Sequence, residues 1–162
     1  MAKLGDVMDY LKRNNVRYEV IEHAPAFSAH EVAVVSHVPE KDLAKTLVVY
    51  SDGKYCMVVV PADHRLNDHL LHDVLKAKHI HLASEDDLQQ IFPDCEIGAM
   101  PPFGNLYALP VYVDQSLAND EEIVFNACSH TRSIRLKMYD YMRLVQPVIA
   151  EISQSRFEIQ EP

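Results

Sequence analysis

The stretch Lys45–Val60, KTLVVYSDGKYCMVVV, decides how this chain is read. Lys45–Tyr50 and Lys54–Val60 are rich in Val and Leu, and β-branched residues suit a pleated, half-buried surface. Asp52-Gly53 stands between the two runs. An Asp-Gly pair supplies the two positive-φ positions that a tight hairpin turn needs. Two antiparallel strands are therefore expected here.

Outward from the hairpin, helices alternate with short strands. On the N-terminal side, Lys3–Asn14 places Leu4, Val7, Met8 and Leu11 on one helical face. Arg17–Ile21 reads as a strand. Ser28-Ala29-His30-Glu31 is a capping box ahead of Val32, Val35 and Val38, and Pro39 ends that helix. On the C-terminal side, Asn67–Lys76 reads as a helix burying Leu70, Leu71, Val74 and Leu75. His79–Ala83 is a strand, and Ser84 caps a helix over Glu85–Ile91. Leu106–Val113, Ile123–Ala127 and Ser133–Met138 read as strands. Tyr139–Ile152 closes the chain as a helix with Leu144, Val148 and Ile152 on its apolar side and a kink at Pro147. No βαβ period repeats, so the expected class is α+β, with a mixed, mostly antiparallel sheet flanked by helices. One domain is expected over 1–162, with a polar tail that frays from about Gln154.

Composition narrows the function classes. No apolar run approaches the ~20 residues of a membrane span, and MAKLGDVMDYLKRN has no apolar core of a secretory signal. The expectation is a soluble, cytoplasmic protein without membrane partners. Cys56, Cys95 and Cys128 are odd in number and far apart, which argues against a disulfide framework and a zinc ribbon. Cys56 reads as a small core residue. The net charge of −9 disfavours a wide nucleic-acid footprint and any DNA partner, while leaving room for a local basic patch.

Four segments carry candidate chemistry. Gly98-Ala99-Met100-Pro101-Pro102-Phe103-Gly104 holds two of the four glycines of the chain. Its adjacent prolines fix φ twice and remove two donors. It is either a stiff connection or a rigid cradle whose remaining N–H groups hold a carbonyl or a water. Lys45 enters an apolar strand, either snorkelling to solvent or holding a phosphate or carbonyl oxygen. Phe125-Asn126-Ala127-Cys128-Ser129-His130 turns polar as it leaves a strand. Ser129 and His130 are neighbours and point apart, which is poor geometry for a nucleophile–base pair. One would orient substrate while the other lines the pocket. Ser133, Arg135 and Lys137 share a strand face that either meets a phosphate or faces solvent. His64, His69, His72, His79 and His81 read as a solvated face, since HExxH spacing is missing and no metal is expected.

In order along the chain, SAHEVA from Ser28, LAKTL from Leu43, the Gly98–Gly104 loop and Phe125–His130 resemble the YbaK/prolyl-tRNA-editing family of aminoacyl-tRNA deacylases. The likeness covers about Val16 to Ile152. It implies a compact α+β domain whose pocket takes the aminoacylated 3′ end of a mischarged tRNA and hydrolyses its ester, acting in trans on a small non-cognate amino acid. It implies catalytic roles for Lys45, Gly98, Ser129 and His130. His30, Thr46, Met100, Pro101, Pro102, Phe103, Gly104, Asn126, Ala127 and Cys128 would bind substrate, joined by the cation Arg135. No cofactor or metal is implied. The partners would be the tRNA 3′ end and an aminoacyl-tRNA synthetase. Many members carry glycine where Cys128 stands, so the cysteine is expected to hinder a positive φ and reshape that wall. A non-catalytic module that binds an aminoacyl-tRNA end or a synthetase, and a metal-dependent hydrolase using the histidines, are the alternatives.

Overall fold

The computed structural model describes residues 4–156. The hairpin forms as expected: β2 (Ala44–Ser51) pairs with β3 (Lys54–Pro61), with Ser51 opposite Lys54. Asp52 and Gly53 both take positive φ, 44° and 94°, so the turn twists with its strands.

The remaining elements are α1 (Leu4–Arg13), β1 (Tyr18–Glu22), α2 (Ala29–Ser36), β4 (His64–Leu66), α3 (Asp68–Leu75), β5 (Ile80–Leu82), α4 (Glu85–Ile91), β6 (Val111–Asp114), α5 (Gln115–Ala118), β7 (Glu122–Asn126), β8 (Arg132–Lys137), α6 (Met138–Val145), β9 (Val148–Ala150) and β10 (Ser153–Ser155). A five-stranded sheet runs β5-β2-β3-β6-β9, a three-stranded one β1-β8-β7, and β10 pairs with β4. Among the named strand pairs of the described residues, β3–β6 and β6–β9 are parallel and the rest antiparallel, so the fold is α+β with mixed, mostly antiparallel pairing.

Caps start two helices where the sequence places them, at Ser28 and Ser84, and Asn67, read as helical, caps a third. Ser28 Oγ accepts from Glu31 N–H, Asn67 Oδ1 from Leu70 N–H, and Ser84 with Asp87 forms a reciprocal capping box. The larger core joins Val7 and Leu11 of α1 to Phe92, Phe103, Phe125 and Tyr141, all at most 1% exposed. Phe103 packs on Tyr10, Phe125 and Tyr141 at ring separations of 5.4–6.2 Å, in aromatic geometry that favours edge contacts.

Several expectations change. The helix over Tyr139–Ile152 stops at Val145, because Pro147 has no N–H and drives Gln146 out of helical φ, to 50°. The chain then continues into β9, parallel to β6. The strand expected from Leu106 begins at Val111. Gly104–Leu106 is a 3₁₀ turn, and Ala108 sits at φ 57°. β4 and β10 carry too little pattern to be read alone. Gln154 pairs with Arg65 and Ser155 with His64, so the chain stays in register past the point expected to fray; 157–162 lie outside the described residues. Buried Asp114 fastens this end, accepting from Ile152 N–H at 2.9 Å and Ser153 N–H at 3.0 Å.

The cysteine reading is also corrected. Cys95 and Cys128, 33 residues apart, form a disulfide with their Cα atoms 4.3 Å apart. Backbone bonds bring them together: Glu96 N–H donates to Cys128 O, and Cys128 N–H to Ala99 O. Spacing in sequence carries no trace of such a contact.

Candidate functional site

A cleft of about 530 Å³ opens beside β2, with a recess of about 50 Å³ at its inner end. Its position follows from strand length. β5 reaches only Val49–Ser51 of β2. Apart from a single bridge at Leu43, the edge of β2 before Val48 therefore lacks a strand on that side, among the described residues. Side chains from both faces of this open edge, Lys45 and Thr46, line the cleft.

Lys45 is half-buried, and its Nζ donates to His64 O at 2.8 Å. Burial, and then the positive charges of Arg156 and Arg65, hold its pKa below the usual lysine value. An ammonium has three donors, and one is used here. The cation is thus desolvated and has donors to offer a ligand.

The Gly98–Gly104 loop divides. Gly98 and Met100 line both cavities. Gly98 needs its φ of 87°. Ala99 N–H is used by Glu96 O, whereas none of the described hydrogen bonds takes the N–H of Gly98 or Met100. Pro101, Pro102, Phe103 and Gly104 are buried and line neither cavity. Tyr141 Oη donates to Pro102 O at 2.7 Å. A Cβ on Gly104 would lie 2.5 Å from Val111 Cγ2, so this glycine serves close packing. The second half of the loop is an anchor, which is a structural role the sequence alone did not separate from binding.

Asn126 and His130 line the recess, while Ala127, Cys128 and Ser129 do not. Ser129 Oγ faces Thr131 Oγ1 at 2.9 Å and accepts from Thr131 N–H. His130 Nε2 lies 2.9 Å from Ile97 O, which can only accept. The proton is therefore on Nε2, and Nδ1 is an acceptor in the neutral ring. Nδ1 of His130 and Oδ1 of Asn126 are both buried without a partner. Each costs about 1–3 kcal/mol until a donor reaches it.

Cys128 adopts φ 63°, so it takes the left-handed conformation expected to be difficult for it. His30 lies at the rim with Nδ1 2.5 Å from Glu40 Oε1. Arg135 lies 3.5 Å from Glu19 and 4.0 Å from Glu122, and lines neither cavity. Of the histidines, His64 Nδ1 bonds Ser153 Oγ and His72 Nδ1 bonds Ala77 O. Among the described residues, no group of three or more His, Cys, Asp or Glu is placed to hold a metal. No described helix is long and apolar enough to cross a membrane.

Among the lining residues that escaped the sequence reading are Phe27, Arg65 and Arg156. Phe27 is 72% exposed and packs on His130 at 4.9 Å between ring centres. Arg65 and Arg156 come from the β4–β10 ribbon. Only an exposed aromatic ahead of the Ser28 cap hinted at the first, and nothing local pointed to the other two.

The fold and cleft define a small α+β domain whose open strand edge, glycine loop and lysine form one polar site. Residues 23–144 match the family model of the aminoacyl-tRNA editing domain, and the chain belongs to that family. It is 26% identical over 125 residues to proline–tRNA ligases of Geobacillus thermodenitrificans and Bacillus cytotoxicus, covering 72% of this chain and 22% of each ligase. The chain thus spans about a fifth of the length of these curated relatives. Among solved structures, a hypothetical protein superposes with a TM-score of 0.82 at 20% identity, over 91% of this chain and 99% of that one. A proposed trans-editing enzyme for prolyl tRNA synthetase superposes at 0.81 with 18% identity, over 94% and 97%. These likenesses establish the fold.

Proposed function

We propose that this domain hydrolyses the ester of a mischarged tRNA carrying a small, non-cognate amino acid, and that it does so in trans. The observation that carries the reading is the gathering of Lys45, Gly98, Met100, Asn126 and His130 around one recess, with the N–H groups of Gly98 and Met100 and the buried acceptors of Asn126 and His130 free of partners among the described hydrogen bonds. Family membership supports tRNA editing as the setting.

An aminoacyl ester is already activated, so the site has only to place water and stabilise an oxyanion. Backbone N–H groups of the Gly98 loop would serve, each worth ~3 kcal/mol by analogy with other oxyanion donors. Lys45 would hold the terminal nucleotide. Asn126 Oδ1 and His130 Nδ1 would accept from the substrate ammonium or the attacking water, with no metal in the scheme. A recess of about 50 Å³ suits a small side chain. Editing of small amino acids is useful because one methylene gives a synthetase only ~1–3 kcal/mol of discrimination. The reaction would take place in the cytoplasm, with a synthetase as partner.

The test is loss of ester from a panel of mischarged tRNAs, headed by proline tRNA because the relatives are proline–tRNA ligases. Hydrolysis of at least one member above buffer is expected. A folded protein that turns over none, with or without added synthetase, refutes the reading. Tight binding without turnover would establish a non-catalytic module instead.

A further inference from the structure

We propose that Arg65 and Arg156 form a phosphodiester subsite at the mouth of the cleft, holding the strand that precedes the terminal nucleotide. The proposal rests on the reading of the cleft as one that receives an RNA 3′ end.

Both arginines line the cleft with Lys45. Their proximity is built by pairing of β4 with β10, where Gln154 opposes Arg65 and Ser155 opposes His64. Arg156 N–H donates to Asp63 O at 3.0 Å, closing the ribbon at the rim. Arg156 lies beyond residues 23–144, which match the family model.

The charges at the mouth suit an anion. Arg156 Nη2 donates to Glu40 Oε2 at 2.5 Å, and Glu40 also holds His30. One carboxylate thus orients the guanidinium while sharing its charge with a second group. Arg132, Arg135 and Arg143 each sit on a carboxylate; of the exposed arginines with no ion pair among the described residues, Arg13, Arg17 and Arg65, it is Arg65 that lines the cleft. In a chain of net charge −9, three cations around one cleft are a local device. Beyond its burial, Lys45 feels both arginines, which hold its pKa down, against Asp63 and Glu40, which raise it. A phosphate oxygen offsets the arginines' effect on Lys45, and the guanidinium fork matches phosphate in two-point geometry. The volume, about 530 Å³, exceeds what a small amino acid needs and lies in the range of larger ligands.

The experiment measures binding of a deacylated, 5′-labelled CCA trinucleotide by fluorescence anisotropy at several salt concentrations, with adenosine and inorganic phosphate as competitors. Arg65→Gln and Arg156→Gln are each expected to weaken trinucleotide binding about 5–20-fold and to flatten the salt slope by ~0.7 per lost phosphate contact. Adenosine competition should be unchanged, and Arg65→Lys should restore most of the slope. Unchanged affinity and slope in the folded Arg65→Gln protein overturn the proposal. So does an equal loss for adenosine, or phosphate that displaces the trinucleotide at matching concentration. The subsite and the hydrolase reading fail separately. A wild-type protein that binds the trinucleotide with this arginine dependence but spares every ester loses only the hydrolase reading. One that hydrolyses tRNA with KM indifferent to both arginines loses only the subsite.

Discussion

Lys45 Nζ donates to the backbone carbonyl of His64 across 2.8 Å, tying the open edge of β2 to the ribbon that carries Arg65. A charged group held there is costly to the fold. Because its folded pKa lies below the unfolded one, the native state binds fewer protons in the window between them. Stability therefore rises as pH climbs through that window, and the cost is fully present below it.

Lys45→Met should lose at least about 100-fold in deacylation, as expected for a removed electrostatic anchor. Its stability should stay within about 1 kcal/mol of wild type, because the lost hydrogen bond offsets the relieved desolvation. Thermal melts beside single-turnover rates check both halves. Full activity in this variant would remove Lys45 from the site.

The two glycines of the loop should separate by phenotype. At Gly98 a Cβ would lie an ordinary 3.9 Å from His130 Cε1, so Gly98→Ala costs only the left-handed backbone, about 1–2 kcal/mol. Turning its N–H should cut the rate about 10-fold or more. At Gly104 the Cβ would also meet Leu109 O at 2.6 Å, so Gly104→Ala should cost several kcal/mol of stability, roughly as other overpacked cores do. Urea titration with activity measured on the folded fraction distinguishes the two.

Asp120 gives a pH prediction. Burial, followed by the charge of Asp42, pushes its carboxyl up to about 6. A raised carboxyl pKa means the native state holds the extra proton between about 4 and 6, so this group lowers stability as pH rises through that interval. Asp120→Asn should remove the dependence and stabilise the protein at pH 7, by under about 1 kcal/mol given its solvent exposure. Melting curves from pH 4 to 8 test the sign.

The cysteines can be counted directly. Denatured without reductant, the protein should yield one titratable thiol, that of Cys56, and three after reduction. Three before reduction would contradict the Cys95–Cys128 bond.

Much of the fold was legible because its signals are local. The Asp52-Gly53 turn, the Ser28 and Ser84 caps and the alternation of Ile134 and Leu136 each state their geometry within a few residues. The C-terminal helix was misread because Leu144, Val148 and Ile152 repeat at a helical interval. Pro147 overrides that periodicity, and β6 offers Val148–Ala150 a parallel edge.

The site was legible only in part. Lys45, Thr46, Gly98, Met100, Asn126, His130 and His30 come together, while Arg135 and the Pro101–Gly104 segment serve ion pairing and packing. A polar or glycine-rich motif announces special backbone geometry, but which atoms face a cavity depends on the neighbours packed behind it. Tyr141 and Phe125 turn the far half of the loop inward, and no residue near Pro102 signals either.

By itself, the sequence determined the α+β class, the central hairpin and the segments that supply the site, since turn, cap and periodicity energies act over a few residues. Only the tertiary structure decided the disulfide, the β4–β10 ribbon and the cationic mouth it builds from Arg65 and Arg156. Those depend on contacts between distant residues, where pairing and burial outweigh any local preference.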